Sequence, residues 1–469
     1  MCGISINKGL DNNLAELSKH RGIYTSDVTV EEDITLTHHT LPIQVTDKDA
    51  QSDLRQPVRL DEGYMLFNGE LFSGYDKDKF DSDTAYLKAL FFDCHNRGQV
   101  IQKLNTNAFA WDGFWALVIY TAGDGAFTCY TDPLGKKPLY FHTQPGHFGI
   151  ASEIKSVLPE DHKRYLDMKY LGDVRKFGYN NDERTPYRLV KRMQHGMIYM
   201  FAAGDPAPLR LNGPQGIVIE NGRKGDVREL LREAVISRIE TVAEAKVACL
   251  LSGGLDSSII AALLIERGLD VDFYTIENED DAQFVADFEK HYNIKVERLK
   301  YNQDDVLQND DLFREIYLDT NECPIDLGSV VPQYYLMKTI SEAGDYRVIF
   351  TGDGADELFG GYSRIHEYDG QGSDVFSELP YYHLPRLDKS SMRFTLELRN
   401  PFLSHAVINA ALAMPISMRT DKLILKTIFR DLLPASIIDR PKLALKNPEI
   451  RKNKIDYRNK VLDKFISLH

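Results

Sequence analysis

Seven residues constrain this chain more than any others: Ser252-Gly-Gly-Leu-Asp-Ser-Ser258, set between the apolar run Val247 to Leu251 and the helical run Ser257 to Arg267. A strand, a glycine-rich turn and a helix start, in that order, define one βα unit whose turn faces an anion. Free backbone N–H groups and the helix dipole point at the ligand, and Gly253 and Gly254 let the backbone approach it. Ser252, Ser257 and Ser258 add hydroxyl donors. Asp256 would repel a phosphate directly, so its natural role in such a site is to hold Mg2+. The run lacks the Gly-Lys-Ser/Thr ending of a P-loop and is not a GxGxxG turn. The bland alternative is an ordinary βα turn rich in Gly and Ser.

The surrounding pattern extends this unit. Strand-like Asp272 to Ile276, helical Ala282 to His291, helical Pro332 to Ala343 and strand-like Arg347 to Phe350 alternate, and the last hundred residues read as mainly helical. Alternating βα units imply a parallel sheet with helices on both faces. The run Thr351-Gly-Asp-Gly-Ala-Asp-Glu-Leu-Phe-Gly-Gly-Tyr362 follows its strand directly. Both glycine-rich loops would then leave the carboxyl ends of parallel strands, where open α/β sheets bind ligands. Asp353, Asp356 and Glu357 are placed to complete a metal site with Asp256; alone, they also suit a solvated turn.

The first two hundred residues have a different texture. Short β-rich runs (Asp33 to Leu36, Gly63 to Phe67, Phe114 to Tyr120, Ala126 to Tyr130, Leu139 to His142) surround one helical run, Thr84 to Phe92. This predicts mostly antiparallel sheet. Pro and Gly concentrate from Ala202 to Gly216, which predicts a domain boundary there, and an amphipathic helix fits Asp226 to Ile239. We therefore expect two domains, residues 2–205 and 217–469, within the 469 of the chain. With 43% hydrophobic residues the chain can build sizeable cores, and a net charge of −14 disfavours nucleic acid as a partner. No secretory leader or membrane-spanning run is apparent, and the five scattered cysteines read as reduced thiols, so a cytoplasmic location is expected.

Met1-Cys2-Gly3 carries the second chemical signal. Removal of Met1 would expose Cys2, whose own α-amine, with an unperturbed pKa of about 7.7–8.0, can take the thiol proton. Asn68-Gly69-Glu70 could present an amide and a backbone N–H as an oxyanion hole, although Asn-Gly is also the commonest hairpin turn.

Together these motifs resemble a known family. Cys2-Gly3-Ile4, His20-Arg21-Gly22, Asn68-Gly69-Glu70, Ser82-Asp83, Asp132 to Tyr140 and Ala151 to Lys155 occur in this order in class II glutamine amidotransferases. With Ser252 to Ser258, similar to the pyrophosphate loop of ATP pyrophosphatases, and then Thr351 to Tyr362, Glu397 to Leu403 and Arg440-Pro441-Lys442, the chain resembles the glutamine-hydrolysing asparagine synthetases. The resemblance implies an N-terminal-nucleophile αββα sandwich followed by a parallel-sheet α/β ATP-pyrophosphatase domain with a helical C-terminal region.

It further implies that Cys2 attacks the glutamine amide, that Asn68 and Gly69 stabilise the oxyanion, and that Asp83 holds the α-ammonium beside Glu70. Ammonia would reach the second site through a tunnel and displace AMP from an adenylated aspartate. In that site Leu250, Ile276, Thr351 and Gly352 would contact ATP, and Ser252, Gly253, Gly254 and Ser257 the pyrophosphate. Asp256 and Asp356 would hold Mg2+, Asp353 would face the acceptor or the attacking ammonia, and Lys442 would offset charge on the adenylated intermediate and the leaving pyrophosphate. Family members often form dimers.

Some positions depart from the family pattern. Thr40-Leu41-Pro42-Ile43 stands where relatives carry an Arg that pairs with the glutamine α-carboxylate, and Arg55 is a nearby candidate to replace it. An unpaired buried carboxylate there would cost about 2–5 kcal/mol. Asp353 stands where many asparagine synthetases have Glu. The alternatives are therefore a relative that amidates another carboxylate, an ammonia-dependent amide ligase with a weakened glutaminase, and a non-catalytic binding protein that keeps the fold.

Overall fold

A computed structural model describes residues 2–10, 13–31, 33–44, 55–144, 146–159, 165–202, 207–214, 226–243, 245–301, 304–324, 327–362, 376–440 and 453–469. Seventeen strands run through them. In the first part of the chain they are β1 (Cys2–Lys8), β2 (Tyr24–Val30), β3 (Ile34–Thr40), β4 (Val58–Leu60), β5 (Gly63–Ser73), β6 (Asp112–Thr121), β7 (Ala126–Thr131), β8 (Tyr140–Gln144), β9 (His147–Ala151), β10 (Val190–Arg192), β11 (Met197–Ala202) and β12 (Leu209–Asn212). After them come β13 (Lys246–Leu250), β14 (Val271–Ile276), β15 (Val296–Leu299), β16 (Tyr346–Phe350) and β17 (Glu397–Arg399).

The first twelve form two antiparallel sheets, ordered β10-β8-β9-β1-β3-β2 and β12-β11-β7-β6-β5-β4. The period of two along β5 and β6 explains how they stack. Leu66, Ala116 and Val118 pack with Ile4, Ile6 and Leu36 of the facing sheet. Their neighbours Met65, Phe67, Leu117 and Ile119 face the other way, onto Leu87 and Phe91 of helix Asp83–Phe91 and Val100 and Leu104 of helix Arg97–Asn107. Both faces of this sheet are thus buried, which is why its strands read as continuous apolar runs.

The remaining strands form a parallel sheet, β15-β14-β13-β16-β17. Helix Leu255–Glu266 is buried along its length from Leu255 to Leu264, as its almost uniformly apolar sequence requires. The expected α/β division is borne out. Two local expectations change. β12 lies inside the Pro/Gly-rich stretch and pairs with β11, so the second sheet continues beyond residue 205. Asn68-Gly69-Glu70 is not a turn but the middle of β5, paired with Ala116, Trp115 and Phe114 of β6.

Buried charges join the antiparallel sheets to the parallel-sheet region. The guanidinium of Arg21, fully buried, donates to both oxygens of Asp388 at 3.0 and 2.9 Å, to Glu153 at 3.1 Å and to the Cys2 carbonyl at 3.1 Å. Lys137 adds a second ion pair to Asp388 at 2.6 Å. Glu322 accepts from the backbone N–H groups of Ile154 and Lys155 at 2.9 and 2.6 Å and pairs with Lys389. Burial pushes the Asp388 carboxyl up, but Arg21 and Lys137 outweigh it and hold the group below its ordinary value. Burial likewise opposes His20, Lys155 and Arg21 at Glu153, and the cations again win.

Removing one member of such a cluster strands its partners. Arg21→Met should lower unfolding free energy by about 3–5 kcal/mol in urea titrations. Both carboxyls are depressed, so their stabilisation is present above the unfolded carboxylate range, about pH 4, and is lost as pH falls through their folded values. The variant should show a flatter loss of stability below pH 4 than the parent.

Candidate active site

Two cavities gather the chemistry-bearing residues. The first has a volume of about 60 Å3 and is lined by Cys2, Thr40, Gln44, Gly69, Glu70 and Asp83 among others. Cys2 opens β1 opposite Thr40 of β3, and its backbone N–H donates to Asn68 Oδ1 at 2.9 Å. That bond turns the Asn68 amide nitrogen toward Ser152 Oγ, 3.4 Å away, which also accepts from the Ile4 N–H at 3.0 Å. Burial raises the Cys2 thiol above its ordinary value, so the resting sulfur holds its proton.

Gly69 is glycine for a steric reason. A Cβ there would lie 2.2 Å from the Phe114 carbonyl oxygen and 2.7 Å from Trp115 Cα, both on the adjacent strand β6. Acid groups dominate the far wall. Asp83 accepts from the Leu71 N–H at 2.9 Å, and Arg399 of β17 approaches Glu70 to 3.8 Å while pairing with Glu397 at 2.6 Å. Burial first, then Glu397 and Asp83, push Glu70 well above the usual carboxylate range. Burial also lifts Asp83 to about 6. Thr40 makes no substitute for an Arg: its hydroxyl pairs with His38 Nδ1 at 2.8 Å. Arg55 does not replace it either, because its guanidinium reaches the Thr25 carbonyl at 3.3 Å and does not line this cavity.

The second cavity, about 510 Å3, opens at the carboxyl ends of β13 and β16. Leu250, Ser252, Gly254, Asp256, Ser257, Thr351, Gly352, Asp353 and Asp356 line it, so both glycine-rich loops meet there. Gly253 holds a left-handed φ of +67° in the first loop without lining the cavity, and Ile276 is buried at the end of β14. A Cβ on Gly352 would lie 2.7 Å from the backbone of Asp256 and Ser257, so the two loops touch directly. The Thr351 hydroxyl donates to Asp353 at 2.6 Å, and its N–H to the Arg399 carbonyl at 3.0 Å.

Among the cations lining this cavity, Lys422 and Lys426 escaped sequence reading, and Arg440 entered it only as part of a motif. The Lys422 ammonium bridges Asp256, at 2.5 Å, and Asp356. It sits on a left-handed pair, Asp421 and Lys422, with φ of +52° and +59°. Such conformations cost about 1–3 kcal/mol each and persist only where surroundings enforce them. Here the Phe359 and Gly360 carbonyls accept from Lys422 and Asp421 N–H groups at 2.9 and 3.1 Å. Arg440 pairs with Asp281, donates to the Ser252 carbonyl at 3.3 Å and lies 4.1 Å over the Phe284 ring. Nothing in the local pattern marks Lys422, whereas Arg440 belongs to the Arg-Pro-Lys run. Lys442, from that same run, lies outside the described residues.

Cys2 thus lies buried beside the Asn68-Gly69 strand, in a chain whose parallel sheet carries the glycine-rich Ser252 to Ser258 loop. The glutamine amidotransferase domain profile matches residues 1–209, and that of asparagine synthase matches 226–380 and 371–465. The chain belongs to the asparagine synthase family. It is 26% identical over 424 residues to the glutamine-hydrolysing asparagine synthetase of Gallus gallus, and 25% over 438 residues to that of Homo sapiens. Each match covers 83% of this chain and 73% of the relative. No helix among the described residues is long and apolar enough to cross a membrane.

The tight contact at Gly69 yields a direct test. Gly69→Ala should lower stability by about 1–3 kcal/mol or more, read as a falling melting temperature, whereas Gly172→Ala, inside helix Met168–Phe177 with open space around its Cβ, should raise it by about 0.5–1 kcal/mol.

Proposed function

We propose that the chain is a glutamine-dependent asparagine synthetase in which residues 2–212 hold the glutaminase and residues 226–469 the ligase. The observation that carries this reading is the meeting of both glycine-rich loops at one cavity with paired carboxylates and cations, in a chain whose Cys2, Gly69 and Asp83 line another.

In the first cavity Cys2 Sγ attacks the carboxamide carbon of glutamine, with the proton passing to its own α-amine once Met1 is removed. The oxyanion is held by the Asn68 amide and the Gly69 N–H. The C–N bond breaks, ammonia leaves with that proton, and water cleaves the thioester to glutamate. Asn68 is oriented for this by the bond its Oδ1 already accepts from Cys2. Oxyanion donors of this kind are worth about 10²–10³ in rate.

In the second cavity a β-carboxylate oxygen of aspartate attacks the α-phosphorus of ATP, pyrophosphate departs, and ammonia then displaces AMP from the acyl carbon. Ser252, Gly254 and Ser257 would cradle the pyrophosphate at the start of helix Leu255–Glu266. Lys422 and Arg440 offer it positive charge, and Asp353 faces the acceptor side, 3.7 Å from Arg386. Asp256 and Asp356, which converge on the single ammonium of Lys422, are the carboxylates that would hold a divalent cation such as Mg2+. Mg2+ held by those carboxylates would neutralise phosphate charge as pyrophosphate leaves.

The assay that tests this follows AMP, pyrophosphate and asparagine together, with Mg-ATP, aspartate and either glutamine or ammonium. All three should form in equal amounts with both nitrogen donors; pyrophosphate absent under both would sink the assignment. Cys2→Ala should abolish synthesis from glutamine and retain it from ammonium. An α-ammonium binds the ionised form of Asp83, whose pKa burial lifts to about 6. KM for glutamine should therefore fall as pH rises from 5 to 7, by up to about tenfold per unit below that value, and Asp83→Asn should remove the dependence.

A further inference from the structure

The side chain of Gln44 already sits in the acid end of the first cavity. Its Nε2 donates to Glu70 Oε2 at 2.5 Å and to Asp83 Oδ2 at 3.1 Å, and its Oε1 accepts from the Asp83 N–H at 3.1 Å. Both amide hydrogens and one carbonyl lone pair are thereby used. The network also fixes which way the amide points, because the flipped amide would set its oxygen against two carboxyls and its NH2 against an N–H.

Charge explains why a donor belongs there. Glu70, Asp83 and Glu397 are buried close together, and Arg399 is shared between Glu70 and Glu397. The cluster is short of positive charge: burial raises both Glu70 and Asp83, and repulsion from Glu397 and Asp83 raises Glu70 further. A neutral amide supplies two N–H donors but no charge. An ammonium supplies three donors and the missing charge, and charge-assisted bonds are roughly twice as strong as neutral ones.

We propose that Gln44 is a specificity-determining residue of the glutamine pocket, an intrachain carboxamide that holds the seat between Glu70 and Asp83 until a ligand's α-ammonium displaces it. The inference rests on the glutaminase reading of Cys2 and adds what governs entry to it. No Lys or Arg among the described residues lines this cavity, so selection falls on the ammonium end of the ligand rather than on its carboxylate. A ligand with a carboxamide but no α-ammonium, such as a simple primary amide, cannot outcompete Gln44 for that seat.

Gln44→Ala and Gln44→Val in the full chain test this. Glutamate release gives KM and kcat for glutamine, and the rate at which the diazoketone analogue 6-diazo-5-oxo-L-norleucine labels Cys2 reports entry independently. With the seat vacated, KM should fall about tenfold and labelling at subsaturating analogue should quicken by a similar factor, with kcat moving less than twofold. A simple primary amide such as butyramide should inhibit labelling of the variants more strongly than that of the parent. Unchanged or raised KM in both variants, with labelling intact, would overturn the role of Gln44 alone. If neither parent nor variants release glutamate or label at Cys2, the glutaminase reading falls, and this inference with it.

Discussion

One buried guanidinium ties the two cavities together. Arg399 pairs with Glu397, leans toward Glu70 in the Cys2 cavity, and donates to Thr241 at 2.8 Å and to the Arg238 carbonyl. Its own carbonyl accepts from Thr351, the first residue of the second glycine-rich loop. Without lining either cavity, the residue therefore contacts one lining residue of each, Glu70 through its side chain and Thr351 through its backbone. A charge so deeply buried is tolerated only with partners that stay put. Strand β17 is thereby held beside β16, with which it pairs from Glu397 to Arg399. The Arg21, Lys137 and Asp388 cluster adds further buried ion pairs between the two parts of the chain.

A shared electrostatic design follows. Each cavity presents two carboxylates bridged by a single nitrogen of the chain, Gln44 Nε2 between Glu70 and Asp83, and Lys422 Nζ between Asp256 and Asp356. In the first, the neutral amide leaves the carboxyls raised; in the second, a full positive charge sits between them. The difference in charge matches what each cavity is proposed to receive, an ammonium in one and a polyphosphate with its cation in the other.

What could be read from the sequence was whatever backbone geometry imposes locally. Gly253 needs its left-handed φ and Gly352 its bare Cα against the Asp256 backbone, so both loops announced themselves as residue patterns. The α/β alternation was legible because buried parallel strands and helix Leu255–Glu266 are apolar throughout. Partners supplied by tertiary packing were not. Lys422 looks like any surface lysine until the turn at Gly360 and Gly361 carries it to Asp256, and Gln44 is one polar residue among several until β3 brings it beside Asp83. Strand β12 hid in a Pro/Gly-rich stretch because its four exposed residues carry no burial pattern, only edge pairing with β11. Asn68-Gly69 carried two incompatible signals, turn and strand, and the close approach of Trp115 decided for strand.

The central chemical claim is that a carboxylate oxygen of the acceptor becomes bonded to the α-phosphorus of ATP in the cavity shared by the two glycine-rich loops. Aspartate labelled with 18O in its β-carboxylate, turned over with Mg-ATP and glutamine, tests it most directly by mass spectrometry of the nucleotide product. The account predicts AMP carrying one 18O for each asparagine formed. Unlabelled AMP, or ADP with the label in inorganic phosphate, would contradict it.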